Sequence, residues 1–211
     1  MTLQSNAAII NNWDNILVEL LKSTGSKYNI ISGAVVSKNM SNPSKATFLK
    51  LDKLKGAKLV TESSIVKEDP VDPVPSLFWT PALSFATAPA YMNFINGNII
   101  SCIDMDITMN TVKLWTSGFN FYTPPLTLAW AARPEDSNWH RPGKNAVSAT
   151  ATVGNTRTFR EFEHFIGISF NQKKASSRTY AGLTNSITAF EAGVKVGSLE
   201  AARLADTKKV N

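Results

Sequence analysis

Cysteine occurs once in this chain of 211 residues, at Cys102, and histidine twice, at His140 and His164. A single cysteine excludes an internal disulfide and any cysteine-based metal cluster, and it fits a reducing, intracellular setting. The two histidines fall in no HxH, HExxH or Cys/His spacing, so a zinc site is not expected. No run of 18 apolar residues is present, which argues against a membrane-spanning helix. The first residues lack the basic stretch followed by an apolar core that marks a secretion signal. Charge is also scarce, at 18% of residues against 43% hydrophobic. Such a chain is too apolar for disorder and carries less charge than an average solvated surface. Part of its surface is therefore expected to be covered by another molecule, a second copy among the candidates.

Arginine is missing from the first 132 residues; all six lie from Arg133 onward. Residues 1–140 balance 11 basic against 11 acidic groups, whereas residues 141–211 carry 11 basic against 5 acidic and so hold the whole net charge of +6. Arginine offers a planar fork suited to phosphate, while lysine is a solvated point charge. This asymmetry reads either as a solvated basic face or as a polyanion-binding face, with RNA the first partner to consider. The residues assigned to that face are Arg141, Lys144, Arg157, Arg160, Lys173, Lys174 and Arg178.

Along the chain, "NAAIINNWDNILVELLK" repeats Ile9, Trp13, Ile16, Leu17, Leu20 and Leu21 at helical spacing. An amphipathic helix over 6–22 is expected, capped by Ser5 or Asn6 and stopped at Gly25. Trp13 and Leu17 would anchor it on its own domain or on a neighbouring subunit. "YNIISGAVVSK", "ATFLKLDKL" and "AKLVTESSIVK" read as strands. The lysines Lys45, Lys50, Lys53, Lys55 and Lys58 are followed by the acidic "TESSIVKEDPVD" and read as a solvated edge, since lysine commonly guards edge strands. "EDPVDPVPSLFWTP" is an extended connector or hinge, because its prolines bar both a helix and a central strand. "NIISCIDMDITMNTVKLW" alternates Ile99, Ser101, Ile103, Met105 and Ile107 against Cys102, Asp104, Asp106 and Thr108, the pattern of an amphipathic strand. "TSGFNFYTPP" reads as turn, "LTLAW" as strand, and "NAVSATATVG" alternates small, polar and apolar residues. "REFEHFIGISF" reads as strand, with His164 on the face of Phe162 and Ile166 and so core or half-buried. "NSITAFEAGVKVG" reads as strand and "SLEAARLADTKK" as a short helix capped at Ser198.

Chemistry is sparse. GxSxG, SxxK and GxxxxGKS motifs are all absent. Asp104 and Asp106 share a strand face and would suit a divalent cation or an acid–base pair, or would simply be that strand's polar side. An enzyme reading would combine them with His140; no cofactor or small-molecule substrate is otherwise indicated. "RPEDSNWHRPGKN" interleaves Trp139 with Arg141 and Lys144, a composition that suits an assembly contact, a plain loop, or stacking on unpaired bases. Glu135 and Asp136 repel phosphate and favour the assembly contact.

The span "CIDMDITMNTVKLWTSGFNFYTPPLTLAWAARPEDS" resembles the central strands of small viral jelly-roll coat proteins of the plant RNA virus type, and is similar to cell-to-cell movement proteins. It covers 36 residues in texture, without a diagnostic signature, and the N-terminal helix stands where many coat proteins carry a basic arm. The resemblance implies self-assembly and RNA packaging or transport, in a virion or host-cell cytoplasm. A matrix or movement protein that bridges ribonucleoprotein to anionic membrane or host factors shares the composition. The expected fold is mainly β: an antiparallel sandwich or jelly-roll-like barrel, with a helical arm over 1–26, a β-rich domain over 27–197, and a C-terminal helix and tail over 198–211.

Overall fold

"NIISG" is apolar without alternation, and it forms β3 (Asn29–Gly33), all five residues of which are buried. A strand buried on both faces belongs at the centre of a sheet. The computed structural model describes residues 1–3, 6–38, 47–55, 58–65, 71–88, 107–131, 154, 156–169 and 174–175. Within them β3 is the middle strand of a five-stranded sheet. On one side it pairs antiparallel with β8 (Leu83–Phe85), which pairs in turn with β1 (Thr2–Leu3). On the other it runs parallel to β9 (Asn120–Thr123), and β9 holds the edge strand β7 (Val74–Ser76) antiparallel. Pro75 sits in that edge strand, where a missing N–H costs no central ladder bond.

A second sheet sets β10 (Ala129–Ala131) between β2 (Ala7–Ile9), antiparallel, and β4 (Val36–Ser37), parallel. Both sheets are thus mixed, and the wholly antiparallel arrangement expected from the sequence is not what forms. The described residues make a mainly β body with three helices. A hairpin of β5 (Thr47–Lys55) and β6 (Lys58–Ile65) forms a separate two-stranded sheet.

Helix α1 (Trp13–Ser23) closes the apolar space between the sheets. Leu17 is fully buried with Ile31, Leu83, Val35, Leu128, Ala129 and Ala131, and Trp13, Ile16, Leu20 and Leu21 pack against that cluster half-buried. Burying one leucine contributes about 1.5–3 kcal/mol, so the stripe fixes the helix on its own chain. The helix begins later than its periodicity implies. Ala7–Ile9 pair with β10 instead, and Asn12, at φ +60°, turns the chain into the helix. Its end is as expected, at Gly25 with φ +76°. Residues 1–26 are therefore not a detachable arm, because they supply a strand to each sheet and a helix to the core.

Two segments expected as strands are helices. α2 (Ile107–Thr116) is buried over nearly every turn from Asn110 to Thr116. Burial on all sides erases the one-sided period by which a helix is recognised, and its many β-branched residues imitate a strand. α3 (Phe159–Ile166) buries Phe162, Phe165 and Ile166 and exposes Arg160 and His164. His164 is accordingly exposed, not in the core. Within "TSGFNFYTPP", read as turn, "NFYT" is strand β9. After α3, β11 (Ile168–Ser169) pairs antiparallel with β12 (Lys174–Ala175).

Candidate nucleic-acid interface and the buried arginine

The basic face proposed from the sequence divides in the structure. α3 begins at Thr158, whose hydroxyl accepts the Glu161 N–H at 3.2 Å while the Glu161 carboxylate accepts the Thr158 backbone N–H, a reciprocal capping box. It ends at Gly167, which adopts φ +69°. These two stops fix the helix so that its apolar side meets α2: Phe165 stacks on Trp115 with ring centroids 5.0 Å apart, and Phe162 lies 5.6 Å from the same ring. Arg160 and His164, four residues apart, then fall together on the solvent side. The β11–β12 hairpin follows directly and carries Lys174 in β12, in register with Ser169. Arg160 and Lys174 thus belong to one helix–hairpin unit.

Arg157 is not part of any outer face. It is 2% exposed, and its guanidinium sits over the Trp115 ring, 4.5 Å from the centroid. Nη1 donates to the carbonyls of Trp115 (3.0 Å) and Phe119 (3.2 Å), and Nη2 to the carbonyl of Gly118 (3.2 Å) and to Asn120 Oδ1 (3.0 Å). Trp115 lies in the last turn of α2, where its carbonyl also accepts the Gly118 N–H at 3.0 Å, and Gly118 and Phe119 follow the helix end; a cation there also complements the negative pole of the helix. The fork of Arg157 meets the three carbonyls together, which a lysine's single ammonium does not. Burial pushes the Arg157 pKa down to about 10, against the raising influence of Glu161, so the group stays charged at neutral pH.

From Arg157 the polar chain continues inward. Asn120 Nδ2 donates to Asn29 Oδ1 at 3.2 Å, and Asn29 Nδ2 donates to the Thr24 carbonyl at the end of α1 at 3.0 Å. Asn29 and Asn120 face each other in the parallel β3–β9 register. One network therefore joins the C-terminal ends of α1 and α2 to the N-terminal approach of α3. Sequence reading missed Asn29 and Asn120, because nothing in residue type marks an asparagine as a buried link. It misassigned Arg157 because a buried arginine and a phosphate-binding one have the same identity. The neighbouring "TFRE" is the signal that was present, since Thr158 and Glu161 are spaced as a capping box.

The remaining assignments fall as follows. Leu17 is fully buried within its own chain and is unavailable as an assembly contact, and Trp13 packs half-buried on the same cluster. Trp139, His140, Arg141, Lys144, Lys173, Arg178, Asp104 and Asp106 lie outside the described residues, as does the C-terminal helix expected after Ser198. Among the described residues no group of three or more His, Cys, Asp or Glu side chains gathers as a metal site, and no helix is long and apolar enough to cross a membrane. No family model, curated protein or solved structure matches the chain.

Proposed function

We propose that this chain is a non-enzymatic structural protein of viral coat type, whose copies self-associate and whose basic residues after 140 meet RNA. The two sheets sharing one core with α1 would be a sandwich in that reading. The observation that carries it is the helix–hairpin unit: Arg160 is exposed on α3, Lys174 follows in β12, and both lie in the segment holding the chain's whole excess of positive charge. Arg141, Lys144, Lys173 and Arg178 extend the same segment in sequence, and Trp139 is assigned to the contact between copies. Arg157 is withdrawn from the RNA-facing set.

Each cation that neutralises a phosphate of single-stranded nucleic acid contributes about −0.7 to the slope of log K against log salt. Replacing Lys173, Lys174 and Arg178 together with Ala is therefore expected to flatten that slope by about 2 units, read by anisotropy of a labelled oligouridylate between 50 and 300 mM KCl. An unchanged slope removes these residues from the interface. Light scattering on the eluted protein, with and without RNA, reads self-assembly. A monomer indifferent to RNA overturns the coat reading.

A further inference from the structure

The hairpin β5–β6 holds a feature that the C-terminal segment does not explain. Its register pairs Thr47 with Ile65, Leu49 with Ser63, Leu51 with Thr61 and Leu54 with Leu59. The intervening pairs are Phe48 with Ser64, Lys50 with Glu62, Lys53 with Val60 and Lys55 with Lys58. Strict alternation along β5 would put Lys50 on one face and Lys53 and Lys55 on the other. The register shifts between Leu51 and Lys53, however, and Asp52 is the extra residue that it absorbs. Alternation then resumes in phase. By register, Thr47, Leu49, Leu51, Leu54, Leu59 and Ile65 share one face of the ribbon. Lys50, Lys53, Lys55 and Lys58 share the other, with Phe48 at its far end and Glu62 as its single acidic member.

We infer that this lysine face of the β5–β6 ribbon is a second contact for single-stranded nucleic acid, separate from the basic C-terminal segment. An edge guard would be served by lysines scattered along either face. Here a bulge keeps four of them on one side, next to a leucine-bearing side. An isolated two-stranded ribbon is marginal in water, and β5 runs beside β3 while β6 runs beside α2, so the ribbon is carried on the body. Lys55 and Lys58 are register partners across the ladder, a pairing of like charges that is unfavourable and that a line of phosphates would relieve. An aromatic at the end of a basic track is the arrangement that stacks bases while the cations follow the backbone. The connection between the strands, Gly56-Ala57, holds no tryptophan, phenylalanine or leucine to wedge into lipid, so the charge complement is a nucleic acid.

The inference shares its partner class with the proposed function but rests on different residues, and one titration separates them. The full chain is measured against labelled oligouridylate as wild type, as Lys50→Gln/Lys53→Gln/Lys55→Gln/Lys58→Gln, and as Lys173→Ala/Lys174→Ala/Arg178→Ala. Removing four phosphate contacts is expected to flatten the salt slope by about 2–3 units, whether or not the C-terminal variant changes it. Deleting Asp52 removes the bulge yet leaves leucines and lysines alternating in phase, so that variant is expected to keep the full slope. A wild type that does not bind, a quadruple variant with the wild-type slope, or loss of binding in a folded Asp52 deletion overturns the inference. So does binding to phosphatidylserine vesicles that the four lysines control without any effect on RNA. Should the quadruple variant lose its circular dichroism, Lys53→Gln and Lys55→Gln singly decide, each expected to take about 0.7 from the slope.

Discussion

Arg157 shows how far one side chain's environment can depart from its type. Its charge is a cost of burial that the fold bears in order to satisfy three carbonyls and an asparagine at once. Arg157→Ala takes the guanidinium donor from the Gly118 and Phe119 carbonyls and Asn120 Oδ1, while the Trp115 carbonyl keeps the Gly118 N–H. It is expected to destabilise the protein in urea unfolding by about 1–3 kcal/mol for each buried acceptor left unpaired. Arg157→Lys keeps the charge but not the fork, and is expected to recover less than half of that loss. The pH dependence has a definite sign. A base whose folded pKa is lowered to about 10 binds fewer protons folded than unfolded above that value, so stability linked to it rises as pH passes 10 and is level below. The wild-type minus Arg157→Ala difference is therefore expected to be flat from pH 6 to 9 and to grow above pH 10. A difference that shrank through pH 10 would show that the charge, not the hydrogen bonds, is what the fold retains.

At the scale of elements, the approach to α3 is held against the end of α2. The Gly154 N–H donates to Thr116 Oγ1 at 2.6 Å, and the N–H groups of Thr156 and Arg157 donate to the Thr116 carbonyl at 3.0 and 2.8 Å. A Cβ on Gly154 would fall onto the Ser117 backbone nitrogen and within 2.6 Å of the Thr116 carbonyl carbon. Backbone cannot yield as a side-chain tip can, so Gly154→Ala is expected to cost about 1–3 kcal/mol, seen as a lowered urea midpoint. Strands β3 to β6 were legible in the sequence because β-branched and alternating residues stop at clear turn signals. α2 and α3 were not, for opposite reasons. α2 is buried from Asn110 to Thr116 but for the half-buried Lys113, so polar and apolar residues alike are covered there and no exposed face betrays its period. α3 is short, and Arg160, Phe162, His164 and Ile166 happen to satisfy a period of two while Phe159, Phe162, Phe165 and Ile166 satisfy the helical one. The capping box and Gly167 decide between them, and both are visible in "TFREFEHFIG".

At the scale of the whole molecule, composition conveyed a β-rich body but could not convey strand order. β3 meets β9 across a sequence separation of 91 residues, and the same apolar residues would serve an antiparallel neighbour equally well. The candidate RNA face was legible only as charge asymmetry; which arginine turns inward is a property of tertiary packing. The N-terminal segment belongs to the same tertiary problem. Leu17→Ala is expected to cost about 2–5 kcal/mol. Removing residues 1–26 is expected to abolish the cooperative thermal transition, since both sheets lose an edge strand and the shared core loses its helix. A truncated protein that still melts cooperatively and only changes its assembly size by light scattering would restore the arm interpretation.

The pairing of Ala7–Ile9 with Ala129–Ala131 also sets a timetable for synthesis. The ribosome makes the first strand about 120 residues before its ladder partner, an interval of roughly 6–25 s at translation rates of about 5–20 residues per second. Throughout that interval the stripe from Trp13 to Leu21 has been made but has no completed cavity to enter. The segment translated first is thus among the last to be housed, and until residue 131 has emerged the nascent chain presents the kind of apolar surface that chaperones hold.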